Sequence, residues 1–152
     1  NDDEIVALRD ALRSLLEGTE IGGAPLLDRQ GGWFAEAECG RGQRLVAYHL
    51  NWIYFTDRFG IEIADYVERR PGIPPSASHA ASLIELIRGG NIPALWVANY
   101  FDERTPRMIA ERTGAEFLYV PIYTDPDDGE LDEYTELVDT WIAALKSALP
   151  GC

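Results

Sequence analysis

A chain of 152 residues is long enough for one domain with a real core, and two full domains would be crowded. Thirteen basic residues against 26 acidic ones leave a net charge of −13, which argues against nucleic acid, whose binding neutralises phosphates with Lys and Arg. The apolar fraction of 46% is that of a globular protein rather than a disordered one, and no apolar run approaches the roughly 20 residues of a membrane helix.

The chain begins with Asn1 rather than Met and shows no leader peptide, which reads as a processed or truncated product. Asn1, Asp2 and Asp3 supply a capping side chain and two acids suited to the positive end of a helix dipole. Ile5, Leu8, Leu12, Leu15 and Leu16 then recur at helical spacing up to Gly18, which predicts a helix with one apolar face. Gly22-Gly23-Ala24-Pro25 predicts a break, and residues 26–38 a second helix weakened by Gly31 and Gly32. A turn is expected at Gly40-Arg41-Gly42.

From there strand and helix patterns alternate: residues 45–48 then 51–59, 63–67 then 78–88, 94–98 then 103–112, and 117–121 then 131–149. Gly60, Gly89-Gly90 and Gly114 stand where each helix should hand over to the next strand. The alternation predicts an α/β fold, a three-layer sandwich built on a parallel sheet of about four strands with right-handed crossovers, preceded by one or two helices. The expected organisation is a helical segment over residues 1–39 and an α/β lobe over residues 40–152. Cys39 and Cys152 are too few for a disulfide scaffold and lack CxxC spacing. A bridge between them and two separate thiols are both open, because geometry decides and sequence does not supply it.

Ligands collect beyond the carboxyl ends of strands in a parallel sheet. His49 falls where the first of the four strand patterns ends, so it is a candidate metal or substrate ligand, against the plainer role of a hydrogen-bonded core histidine. His79 follows Ser76 and Ser78, either of which caps a helix, and reads as structural. Residues 123–130, YTDPDDGE, read mostly as a solvated acidic turn. Asp125 differs because it lies nearest the preceding strand and opens toward the same rim as His49. A neutral imidazole and a carboxylate suit zinc or manganese, although a closed zinc site takes four protein donors. The sequence contains no glycine-rich phosphate loop, GxSxG elbow, HExxH or Cys-His spacing, so the expectation is a protein that is not an enzyme.

Three segments carry a family likeness: YHLNWIYFTDRFGIEI from Tyr48, VERRPGIPPSASHAASLIELI from Val67 and RTGAEFLYVPIYTD from Arg112. From about Arg44 to Leu149 the chain resembles the carboxyl-terminal lobe of the zinc/manganese substrate-binding proteins of ABC importers. The resemblance implies two α/β lobes joined by a long rigid helix, with one divalent metal held between them and two ligands from each lobe. The matching positions here are His49 and Asp125, with Tyr48, Trp52, Glu68 and Asn99 around them as residues that orient the ligands. His79 matches a family histidine that is not usually a ligand. An imidazole at position 49 points to Zn²⁺ more than to Mn²⁺.

The function so implied is capture of Zn²⁺, with Mn²⁺ as the other option, for delivery to a membrane permease. The partners implied are that ABC permease and an amino-terminal lobe of the same protein that is absent from this chain, residues 1–16 being a remnant of the linking helix. Nucleic acid is not among them. The location implied is periplasmic or extracellular, with or without a lipid anchor in the parent protein. Two other readings stand beside this one: a lobe of the same fold that recognises a non-metal solute, and a small α/β enzyme or interaction domain in which the Tyr48-His49 segment is coincidental.

Overall fold

The computed structural model describes residues 2–16, 19–21, 24–25, 32–124, 131–149 and 151–152. The chain divides into two compact units, Asn1–Ala35 and Glu36–Cys152. In the first, helix α1 (Asp2–Leu16) runs as its apolar spacing predicts, with Ile5, Val6, Leu8 and Leu12 exposed. The expected break at Gly22-Gly23-Ala24-Pro25 contains a strand: β1 (Glu20–Ile21) pairs antiparallel with β2 (Ala24–Pro25). Of the expected helix over residues 26–38, the described part holds α2 (Trp33–Glu36), entered from Gly32 at φ 53°, a left-handed angle that glycine adopts without penalty. Residues 26–31 lie outside the described residues.

The second unit begins with a 3₁₀ turn (Glu38–Gly40) and alternates strand and helix. Its elements are β3 (Arg44–Ala47), a 3₁₀ turn (Leu50–Trp52) leading into α3 (Ile53–Phe59), β4 (Glu62–Tyr66), α4 (Ala77–Gly90), β5 (Ala94–Ala98), α5 (Arg104–Thr113), β6 (Glu116–Val120) and α6 (Tyr134–Ala148). The strands form one parallel sheet in the order β4-β3-β5-β6, the architecture the alternation predicts. The Ala-Leu-Trp-Val-Ala run of β5 is buried at every position because both sheet faces are covered.

The two faces are packed with different chemistry, set by the period-2 alternation of the strands. Val46, Leu95 and Val97 meet Leu83 and Ile87 of α4 and Ile109 of α5 in an aliphatic cluster. Trp96 points the other way, stacked on Trp52 with ring centroids 4.8 Å apart. Phe55 of α3 meets both Trp96 and Trp141 of α6 edge-on, at 5.5 and 5.4 Å, an arrangement aromatic quadrupoles favour.

Two helix ends depart from the sequence reading. Gly89 and Gly90 lie inside α4, and the left-handed stop is Asn91 at φ 46°, a conformation Asn tolerates. Helix α6 starts at Tyr134 rather than Leu131, fixed by a capping box in which Glu133 and Glu136 satisfy each other's backbone N–H groups. Gly60 and Gly114 do end α3 and α5, at φ 70° and 79°. At the amino end of the sheet Cys39 and Cys152 form a disulfide across 113 residues of sequence, with Cα atoms 5.3 Å apart. A methyl group on Gly40 would meet Ile61 and Leu149 at 3.4 Å, so the 3₁₀ turn sits tightly against its neighbours.

Candidate functional site

The chain winds from β3 outward to β4 and then returns past β3 to β5, so the strand order reverses between β3 and β5. The crevice outside the carboxyl ends of such a strand pair is the ligand position of open α/β sheets. His49 stands there, two residues beyond β3, with extended backbone (φ −146°, ψ −179°) and a half-buried side chain. Its Nδ1 lies 3.3 Å from the backbone oxygen of Glu68, just beyond β4. A carbonyl only accepts, so Nδ1 carries the proton and the ring lone pair resides on Nε2. Among the described residues no hydrogen-bond partner meets Nε2. The Phe101 ring closes on the imidazole edge-on, with centroids 6.2 Å apart.

His79 is bound in the opposite sense. Its Nε2 is 2.8 Å from the backbone oxygen of Tyr66, so Nε2 carries the proton, and its backbone N–H donates to the capping hydroxyl of Ser76 at 3.2 Å. That is a structural histidine, as the sequence suggests.

Glu68 is a buried acid, 8% exposed. Its Oε1 accepts from the Gly72 N–H at 2.7 Å, and its own N–H donates to the Tyr48 carbonyl at 2.8 Å. Burial first, and then the Glu68 carboxylate that the Tyr48 hydroxyl faces, push the Tyr48 phenol up, with Asp102 adding to the effect. The Tyr48 ring stacks on Phe101 at 4.2 Å. Beside it opens a pocket of 340 Å³ lined by Tyr48, Pro74, Pro75, Asp102, Arg104 and Thr105. Hydrogen bonds from the Arg104 side chain and backbone, followed by its charge, hold the Asp102 carboxyl down at about 2 against burial.

Tyr48, His49 and Glu68 are thus brought together. Trp52 is turned into the core against Trp96, and its Nε1 is buried without a partner among the described residues. Asn99 is exposed at the end of β5, where its backbone carbonyl accepts from the Tyr119 hydroxyl at 2.5 Å. Asp125 lies outside the described residues. Two contributors escape the sequence reading. Asn51 donates from Nδ2 to the Tyr100 hydroxyl at 2.9 Å, spanning the crevice from the β3 side to the β5 side, and Phe101 packs on both Tyr48 and His49. Their signal was position, since both stand within four residues of a strand's carboxyl end. Among the described residues no three His, Cys, Asp or Glu side chains converge closely enough to hold a metal ion.

The family model described as the periplasmic zinc-uptake complex component A matches residues 33–148. No curated protein matches the chain by sequence. Among solved structures, a manganese-bound variant of a periplasmic metal binding protein from Candidatus Liberibacter asiaticus is similar at a TM-score of 0.63 and 14% identity, covering 78% of this chain and 45% of that one. The laminin-binding protein Lbp of Streptococcus pyogenes is similar at 0.61 and 18% identity, covering 78% and 46%. A crystal structure of ZnuA is similar at 0.62 and 16% identity, covering 76% and 42%. At these identities the likeness is one of fold, and the chain spans less than half the length of each of these proteins.

Proposed function

The chain belongs to the family of periplasmic zinc-uptake components, and from that premise we propose that it is the carboxyl-terminal lobe of a two-lobed protein that captures a divalent metal for an ABC importer. Members of the family are periplasmic substrate-binding proteins rather than enzymes, and the Cys39–Cys152 disulfide suits an oxidising compartment of that kind. Zn²⁺ is the metal we assign, since imidazole nitrogen is a donor it prefers more than Mn²⁺ does. His49 donates Nε2 and Asp125 a carboxylate oxygen, and an amino-terminal lobe supplies the remaining donors. Tyr48, Glu68 and Asn99 surround and orient those donors, while Trp52 supports the turn that follows His49. The mechanism is chelation followed by release to the membrane permease, with no bond of the protein made or broken.

The observation that carries this reading is the state of His49: Nδ1 satisfied by the Glu68 carbonyl, in the crevice where the strand order reverses. That arrangement leaves the Nε2 lone pair for a ligand. Calorimetry with Zn²⁺ on the complete two-lobed protein, wild type against His49→Ala, tests it. The variant should lose most of its affinity, and equal affinity in the two proteins removes His49 from the site.

A further inference from the structure

We propose that Glu68 is a positioning residue: it holds the His49 ring in the tautomer and orientation that present Nε2 to a metal, without itself touching the ion. The inference rests on the metal reading above and names what sets the affinity of that same site.

A buried carboxylate is expensive unless its oxygens are hydrogen-bonded, and a hydrophobic side chain of similar volume would fill the space without that penalty. Packing therefore does not account for an acid at this position. The bonds of Glu68 do. Its N–H is tied to the Tyr48 carbonyl at 2.8 Å, and its carbonyl receives the Nδ1–H of His49 at 3.3 Å. Its Oε1 takes the Gly72 N–H at 2.7 Å, closing the turn over residues 68–72, in which the Ile73 N–H also returns to the Arg70 carbonyl at 3.1 Å. Side chain and main chain of one residue thus connect the segment after β4 to Tyr48 and His49, the two residues that follow β3. The side-chain bond folds the turn back on Glu68 and fixes where its carbonyl points. The carbonyl fixes the proton on Nδ1, and Phe101 closes the far side of the ring at 6.2 Å. A metal-bound histidine that donates its other N–H to a fixed acceptor is held in tautomer and orientation, and loss of such a partner typically lowers metal affinity 10- to 100-fold.

What Glu68 needs for this role is an acceptor oxygen at the reach of Glu, so Glu68→Gln should preserve it and Glu68→Ala should not. The test uses the complete two-lobed protein, with each variant studied below its own Tm. Long-range ¹H–¹⁵N spectra of the imidazoles read the tautomers. The His49 signals are assigned by their loss in His49→Ala, and His79, protonated on Nε2, serves as a reference of opposite tautomer. In Glu68→Ala we expect His49 to pass from a single Nδ1–H tautomer to a mixture, with Zn²⁺ affinity reduced about 10- to 100-fold, while His79 stays as it is. In Glu68→Gln both properties should return to near the wild-type values. A Glu68→Ala protein that keeps one tautomer and its Zn²⁺ affinity overturns the proposal, as does a Gln variant no better than Ala. A wild-type protein that fails to bind Zn²⁺ sinks the metal reading alone, since the tautomer spectra still decide what Glu68 does to His49.

Discussion

The two ends of the sheet are built for different tasks. At the amino end the Cys39–Cys152 disulfide joins the entry and the exit of the second unit, and Gly40 lies against Ile61 and Leu149, where a methyl group would be in contact with both at 3.4 Å. There the Gly42 N–H meets the Gly60 carbonyl at 2.8 Å, and the Glu62 N–H meets the Gln43 carbonyl at 2.9 Å. At the carboxyl end stand His49, whose Nε2 meets no hydrogen-bond partner among the described residues, the buried acid Glu68, an open pocket and an Asp102–Arg104 ion pair. The covalent cross-link thus lies at one end of the strands and the candidate ligand crevice at the other. A site of this kind can change its donors without dissolving the frame that holds them.

The largest effect should come from the amino end. Replacing both cysteines by serine frees a loop of 113 residues and should lower unfolding free energy by about 4–5 kcal/mol on chain-entropy grounds. Denaturant melts measure this, and the His49 tautomer should be unchanged; if zinc affinity falls with stability, the two ends are not separable. His49→Ala should do the reverse. In the two-lobed protein it should cost more than 100-fold in Zn²⁺ affinity, about 2.7 kcal/mol, while Tm moves little. A large drop in Tm would make His49 a structural residue. Ser76→Ala sharpens the contrast, because it removes the cap of α4 at the carboxyl end yet should behave like a frame mutation. About 1 kcal/mol of stability should be lost, with zinc binding intact. The smallest effect belongs to Asp102, whose carboxyl is held at about 2 against an ordinary 3.8. A depressed folded-state value adds stability above the ordinary one and loses it as pH falls through about 2, and at this exposed site the gain is slight. An NMR titration should find Asp102 still ionised at pH 3, and Arg104→Gln should move its midpoint back toward 3.8.

Much of the frame was legible because each apolar run is short, bounded by a turn signal and followed by a helical period. Residues 94–98 and 45–48 announced β5 and β3 almost to the residue. Where the reading failed, a local rule was overridden. Asn91 rather than Gly90 stops α4, since both residues accept a left-handed backbone and sequence does not rank them. Of the helix expected over residues 26–38, only residues 32–38 are described, and they hold the single turn Trp33–Glu36 before a 3₁₀ turn begins at Glu38. The disulfide was open from sequence because a separation of 113 positions leaves no clue to distance. For the candidate site, His49 was named from its strand end, and Glu68 only as one of four residues placed around it. The Asn51–Tyr100 bond and the Phe101 contacts were not, because they exist only when β3 lies beside β5, and strand order is not written in local patterns.

The stack of Trp52 on Trp96 gives this protein an optical signature of its own. Two indoles tilted by 18° with centroids 4.8 Å apart couple their electronic transitions, and Trp52 sits in the turn that begins directly after His49. A displacement of that turn alters the overlap of the pair, and with it the near-ultraviolet circular dichroism. Any ligand that shifts that turn is thereby readable without an attached dye.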